Sequence, residues 1–360
     1  MPCLSLAKGR VLTGCRTAAR NPLFNNITEV FPTNEKRKVI LDVDTGSDDA
    51  VAIMAAVCAP ELEVLGVCSV AGNQPIDNTT ENTLRVMQLL GSDIPVYRGA
   101  SGPLVAQLDY RRQKMAFNLK PEEVEAGGKK IRMHDAYLDL PAATIKTQDL
   151  PAAMFIVDAV RKADSKVTLL PVGPLTNIAL ALKLDPTIVD NIDEIIFMGG
   201  GHAVFNHTSA SEFNIWFDPE AAEIVLQSGA KITMVPLDAT HAASLSLDDA
   251  KALRGLHTPQ ADFAAEMIEH RVEVHNADGQ MGGAKNLAPI HDALVVCAAI
   301  DPSVLTDVRF MRVDVDCSGG YADGQTLCDT RALPTKPRNC HVALDADPKK
   351  FGQMLLERLG

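Results

Sequence analysis

Four carboxylates fall within eight positions of the stretch Val39-Ile40-Leu41-Asp42-Val43-Asp44-Thr45-Gly46-Ser47-Asp48-Asp49-Ala50. The apolar run ahead of them predicts a buried strand, Gly46 a tight turn, and the residues from about Asp48 to Ala56 a helix. Acids at the end of a strand and acids at the start of a helix then face one point in space. Unpaired, they would repel. The pattern asks for a positive partner, most simply a divalent cation with oxygen ligands. The plainer alternative makes Asp48 a helix cap and leaves the other three as solvated loop acids.

Three later stretches carry groups of similar chemistry. Asn206-His207-Thr208-Ser209-Ala210-Ser211-Glu212-Phe213-Asn214 is dense in amides and hydroxyls around one acid, a composition suited to sugar hydroxyls, which both donate and accept. Asp238-Ala239-Thr240-His241 follows directly on an apolar run, and Pro289-Ile290-His291-Asp292-Ala293 opens an apolar helix. Each taken alone reads as a surface loop, a cap or a structural histidine.

The elements that must position these groups alternate along the chain. Leu62–Val70, Ile94–Tyr97, Val167–Val172, Ile192–Met198 and Lys231–Leu237 have the composition of buried strands. Helical stretches at Thr79–Leu90, Ala152–Lys162, Ile178–Leu184 and Pro219–Ser228 separate them, with no hairpin signature between. This alternation predicts an α/β fold, a doubly wound, mostly parallel sheet with helices on both faces. In such sheets ligands bind beyond the carboxyl ends of the strands. The polar turns at Asp44–Asp49, Asn73, Gly173, Gly199–Gly201 and Asp238 all fall there. Residues 100–148 lack periodicity and read as loops and short helices, with the break Gly127-Gly128-Lys129-Lys130 among them, in the place of a flap over the site.

Composition bounds the rest. With 46% AVILMFWYC but 4% aromatic residues, the core must be aliphatic. A net charge of -12 argues against nucleic acid or an anionic membrane as partner. None of the eight cysteines forms a Cys-x-x-Cys pair, and Cys58, Cys68 and Cys297 sit in apolar runs, as reduced thiols do. No run of 18 apolar residues suggests a membrane span. Residues 1–37 form a basic leader, and residues 38–360 are expected to be one domain. The first 20 residues hold four basic residues and no acid, a composition shared by transit peptides and by disordered leaders. The cytoplasm is the expected location, with organellar targeting by residues 1–20 as the alternative.

In combination these motifs resemble the nucleoside hydrolase family, calcium-dependent N-ribohydrolases. The residues that carry the resemblance are Asp42 to Ala50, Ala71-Gly72-Asn73-Gln74, Pro171-Val172-Gly173-Pro174-Leu175-Thr176-Asn177, Met198-Gly199-Gly200-Gly201, Glu212-Phe213-Asn214, Asp218-Pro219-Glu220-Ala221-Ala222 and His291-Asp292, in family order from about residue 38 onward. The resemblance implies calcium held by Asp44, Asp49, Asp292 and the backbone carbonyl of Val172, where the family often has Thr. It implies ribose hydroxyls held by Asp48, Asn73, Asn206, Glu212 and Asn214. Asp44 is then the base that activates a calcium-held water for attack on C1′, and His291 the acid for the leaving base. Asp42, two residues before Asp44, is expected on the opposite face, bracing the turn through backbone or indirect contacts.

Base recognition departs from the family pattern. Residues 268–290 contain no Tyr, and Val272-Glu273-Val274-His275-Asn276-Ala277-Asp278-Gly279-Gln280 stands where the family has tyrosines. The single Trp216 rules out a sandwich of two indoles. Inosine and guanosine are the expected substrates, with uridine as a further one, and relatives imply a homodimer or homotetramer. Two rivals stand beside this reading. One is a haloacid-dehalogenase-type phosphatase, which also opens on Asp-x-Asp but wants Thr or Val where Gly46 stands. The other is a calcium-dependent nucleoside-binding protein without catalysis.

Overall fold

Val39, Leu41 and Val43 of the first strand pack into one hydrophobic cluster and Ile40 into another. That alternation is the signature of a strand covered on both sides. The computed structural model describes residues 36–105, 108, 112, 123–126, 129–278 and 285–360. The leader up to residue 35, the glycines of the 127–130 break, and Gly279 and Gln280 lie outside the described residues. In chain order, β1 (Arg37–Val43), α1 (Ser47–Cys58), β2 (Leu62–Ser69), α2 (Ile76–Leu89) and β3 (Val96–Arg98) come first. They are followed by β4 (Glu123–Ala126), β5 (Lys129–Arg132), α3 (Ala152–Lys162), β6 (Val167–Pro171), α4 (Thr176–Leu184) and β7 (Ile192–Met198). Next come α5 (Phe213–Phe217), α6 (Pro219–Leu226), β8 (Ile232–Val235), α7 (Leu237–Ala242), β9 (Leu245–Ser246), α8 (Leu247–Arg254) and α9 (Pro259–Asp278). The last elements are β10 (Leu287–Ala288), α10 (His291–Ile300), β11 (Leu305–Val315), β12 (Thr326–Asp329), β13 (Cys340–Ala346) and α11 (Pro348–Leu359).

The main sheet runs β12-β11-β13-β8-β7-β6-β1-β2-β3. All neighbours from β13 to β3 pair in parallel, while β11 is antiparallel to both β13 and β12. The chain leaves β1 toward β2 and β3, then returns to the other side of β1 at β6. The crevice between the carboxyl ends of β1 and β6 is therefore the switch point where such sheets bind ligands. Helix α1 starts at that crevice. Ten of its twelve residues are buried, and it packs against α9, α10 and α11 on its outer side. Four small alanines allow this close packing, so the acids of its first turn cannot drift outward.

The structure corrects several sequence expectations. Arg37, assigned to the leader, belongs to the sheet: its guanidinium bonds Thr168 Oγ1, the Ala299 carbonyl, Asp193 and Glu194. The 100–148 stretch contains the hairpin β4–β5, with Ala126 paired to Lys129, rather than loops and short helices alone. Lys231–Leu237 stops as a strand at Val235, and Leu237 already starts α7. The sheet also ends in an antiparallel β11–β12 pair that the strand–helix alternation does not predict. Among the described residues no helix is long and apolar enough to cross a membrane.

Asp218 ties α4, α6 and the segment after β3 together. Its carboxylate, fully buried, accepts from Ala221 N at 3.1 Å as the N-cap of α6, from Leu104 N at 2.9 Å and from Thr176 Oγ1 at 2.7 Å. Asp218→Ala removes a cap and strands two further buried donors, which together should lower the unfolding free energy by about 3 kcal/mol. The denaturant midpoint at constant m-value measures this; an unmoved midpoint would deny Asp218 that role.

Candidate active site

Asp44 leaves the end of β1 into a cage of backbone. Asn73 N, from the turn after β2, donates to Asp44 Oδ2 at 2.6 Å. No side chain fits at two neighbouring positions: a Cβ on Gly72 would stand 2.1 Å from Asp44 Oδ2, and one on Gly173 2.6 Å from Oδ1. The glycines of these two turns thus make room for the carboxylate. Asp49, in the first turn of α1, folds back onto the same turn. Its Oδ1 accepts from Asp44 N at 3.0 Å, and its Oδ2 from Gly46 N at 2.9 Å and Asn73 Nδ2 at 3.2 Å. Asp42 shares the Ile40 face of β1 and accepts from Asn177 Nδ2 at 2.7 Å; β1 ends at Val43, so the two-residue period does not carry on to bring Asp44 to the same side. Asn177 also donates to the Ser69 carbonyl and accepts from Ala100 N, locking β1, β2 and α4 together.

Asp48, Asp49 and Asp292 each offer a carboxylate oxygen within 4.8 Å of the others. Asp292, from the first turn of α10, thereby joins the opening motif across more than 240 residues of chain. Asp44 lies against Asp49 at the margin of this trio. All four are buried, and Asp48 Oδ1 has no hydrogen-bond partner. Burial, then the neighbouring carboxylates, holds Asp44 and Asp292 well above the ordinary carboxylate range. Burial and Asp48 push Asp49 up to about 6, and burial alone raises Asp42 to about 8. An unpartnered buried oxygen within an all-oxygen donor set fits a hard divalent cation of the calcium class, and nothing in the cluster offers the sulfur or imidazole that zinc favours.

The amide-rich stretch meets the same crevice from β7. Glu212 caps α5: its carboxylate accepts from Gly200 N at 2.8 Å, Asn214 N at 2.9 Å and Ile215 N at 3.2 Å. Burial nevertheless raises it to about 7. Asn214 Nδ2 donates to the Val172 carbonyl at 2.8 Å, so two expected site groups engage each other directly. Asn206 is exposed instead, with its Oδ1 accepting from Phe213 N. Trp216 packs against His207 with ring centroids 3.9 Å apart and planes tilted by 36°, and Glu212 to Phe217 proves to be a cap and short helix rather than open loop.

Imidazoles gather on the other flank. His291 is buried, with its Nδ1 2.7 Å from Thr240 Oγ1 on α7. The His241 ring lies 5.6 Å from that of His291, and His275 lies 6.3 Å from His241. Burial, reinforced by Arg271 and the other histidines, lowers His291 well below the usual imidazole value. Burial likewise takes His134 and His241 down to about 4.

Sequence reasoning missed His134 and Arg271. His134 Nδ1 accepts from Ser47 N at 3.4 Å, placed by a strap in which Gln74 Nε2 donates to its carbonyl and Asn82 Oδ1 accepts from Leu138 N. No periodicity marks that strap. Arg271 did leave a signal: it falls seven residues after Ala264 and three after Ile268, on the inward stripe of α9, where an apolar residue belongs.

Comparison with known proteins places this geometry in context. A family model described as inosine-uridine preferring nucleoside hydrolase matches residues 39–353. A pyrimidine-specific ribonucleoside hydrolase RihA from Enterobacter sp. (strain 638) is 38% identical over 324 residues, 89% of this chain and 97% of the relative. Its namesake from Shewanella sp. (strain MR-7) is 37% identical over 326 residues, 90% and 96% of the two chains. Among solved structures, a purine-preferring ribonucleoside hydrolase from Gardnerella vaginalis superposes with a TM-score of 0.74 at 31% identity, covering 90% of this chain and 98% of that one. A plant nucleoside hydrolase superposes with a TM-score of 0.76 at 28% identity, covering 90% and 99%.

The electrostatics dictate a pH signature. Carboxyls raised on folding favour the folded state at low pH and lose that contribution as pH rises through their folded values, about 6 for Asp49 and about 8 for Asp42. In chelator the melting temperature should therefore fall between pH 5 and pH 8.5. A cation must displace protons from the cluster, so added calcium should raise the melting temperature more at pH 8 than at pH 5. A gain equal at both pH values, or none, would speak against a cation at these acids.

Proposed function

This chain belongs to the nucleoside hydrolase family, enzymes that cleave the N-glycosidic bond of ribonucleosides, and from that premise we propose that Asp44 is its general base and pyrimidine ribonucleosides its preferred substrates. Membership displaces the phosphatase alternative. The observation that carries the assignment of Asp44 is its caged, buried carboxylate, set against Asp49 at the mouth of the switch-point crevice.

The chemistry follows from the atoms. With Oδ2 fixed by Asn73 N–H, Asp44 Oδ1 is the oxygen left to take a proton from water attacking C1′. A cation held at the cluster would favour the ionised form of this carboxyl, the form a general base requires. The electron pair of the C1′–N bond departs on the base, and positive charge builds on the sugar ring. Asp48 and Glu212 are the further acids of the proposed site that would oppose that charge. Asp48 Oδ1, buried without a partner, is the natural acceptor for a ribose hydroxyl, joined by Asn73, Glu212 and Asn214, with Asn206 the exposed member of the set. Asp44, Asp49, Asp292 and the Val172 carbonyl would hold calcium. When bound, such an ion supplies Lewis-acid polarisation of oxygen and fixed points for the sugar hydroxyls.

At the leaving base, Thr240 engages His291 Nδ1 and leaves Nε2 to meet the nucleobase. The expectation of inosine and guanosine gives way here to pyrimidines. Two relatives that share 37–38% identity with the chain are named pyrimidine-specific, whereas the purine-preferring solved relative shares 31%. The base end is lined by histidines, and Trp216 is engaged with His207.

Ribose release from a panel of nucleosides tests both parts. Uridine or cytidine should exceed inosine in kcat/KM by at least about tenfold; inosine turned over as well or better would reverse the preference. Asp44→Ala should lower kcat on the best substrate by about a thousandfold with the fold intact, within the range for a lost general base. Near-normal turnover would remove Asp44 from the chemistry.

A further inference from the structure

Arg271 is the feature of this site that the reading above leaves unused. Its side chain is 6% exposed and lies on the inward stripe of α9. Nη2 donates to Asp48 Oδ2 at 3.3 Å and to the Pro289 carbonyl at 3.5 Å, and Nη1 lies 3.5 Å from His134 Nε2. All three distances are long for a charge-assisted bond, which closes to about 2.7–2.9 Å. Elsewhere in the chain a buried arginine does form a tight fork, as Arg112 grips Asp323 with two bonds of 2.6 Å. Arg271 is instead a charge set among acids without clasping one. Among the described residues its contact with Asp48 is the sole ion pair made by Asp44, Asp48, Asp49 or Asp292.

We infer that Arg271 is an internal countercation of the acid cluster, which weakens the cluster's hold on a divalent cation and draws Asp48 away from the ion's ligands. The inference rests on the reading of the cluster as a cation site. Guanidinium does not lose its proton in proteins, so its charge is permanent. Ionised, the four aspartates carry four negative charges; with Arg271 in place an incoming ion meets a net three. The like charges of ion and guanidinium also repel at short range in a buried site, where screening is weak. Geometry gives Asp48 a divided role. Its Oδ2 turns to Arg271, while its Oδ1 is buried with no partner, although both Asp49 and Asp292 offer oxygens within 4.8 Å. An oxygen held by a cation on one side and open on the other suits a hydroxyl donor better than it suits a metal shell. Arg271 thus acts through Asp48 and the local field; it is a positioning residue.

Calcium titration calorimetry at pH 8 on the full chain, after removal of metal, tests the inference without recourse to activity. Arg271→Met should tighten calcium binding at least tenfold relative to wild type, and Arg271→Lys, which keeps the charge, should stay within about threefold. Should Arg271→Met fail to fold, Arg271→Gln, a neutral side chain with polar reach, carries the same expectation. Equal or weaker calcium binding by the neutral variant that folds would overturn the inference while leaving the cation site standing. Absence of calcium binding by the wild type would instead overturn the cation site itself, and this inference with it.

Discussion

Burying Asp44, Asp48, Asp49 and Asp292 side by side opposes folding, because each carboxylate loses water and gains like-charged neighbours. Much of the surrounding structure answers that one cost. Backbone N–H groups of Asp44, Gly46 and Asn73 point at carboxylate oxygens, and glycines at 72 and 173 let the chain approach Asp44 closely. Arg271 brings a positive charge on a helix from the far end of the chain. Proton uptake by the acids is the remaining response open to the protein itself, and their raised proton affinity expresses it.

The parallel sheet makes this concentration of acids achievable. Turns after β1, β2, β6 and β7 all emerge at one edge, and the switch from β1 to β6 opens the crevice between them. Helix α1, buried on nearly every side, fixes the first-turn acids against that edge. Helix α10 then contributes Asp292 and His291 from adjacent positions, so one helix start serves both the acid cluster and the histidine flank.

Much of this was legible in the chain. Strands such as Val39–Val43 and Ile192–Met198 announce themselves by their β-branched and aliphatic residues despite the acids within them, and three further acids follow on the first of them. His291-Asp292 was legible only because several motifs recur together in a known order; alone, the pair reads as a cap beside a structural histidine. What escaped shares a physical cause. His134 is set by bonds from Gln74 and Asn82, more than 50 residues away, and Arg271 by packing across the site, so local pattern carries little of either. The antiparallel strands β11 and β12 are partly exposed and interrupted by charge, which hides their periodicity. Glu212 read as part of a loop because its role as a cap depends on the short helix that follows it.

Ribose release from uridine before and after exhaustive chelation, followed by return of calcium, most directly tests whether the acid cluster works as a cation site. Activity should fall to background in chelator and recover when calcium is restored, with the fold retained throughout. Undiminished turnover in metal-free protein would contradict the account, because the four aspartates and Arg271 would then suffice alone.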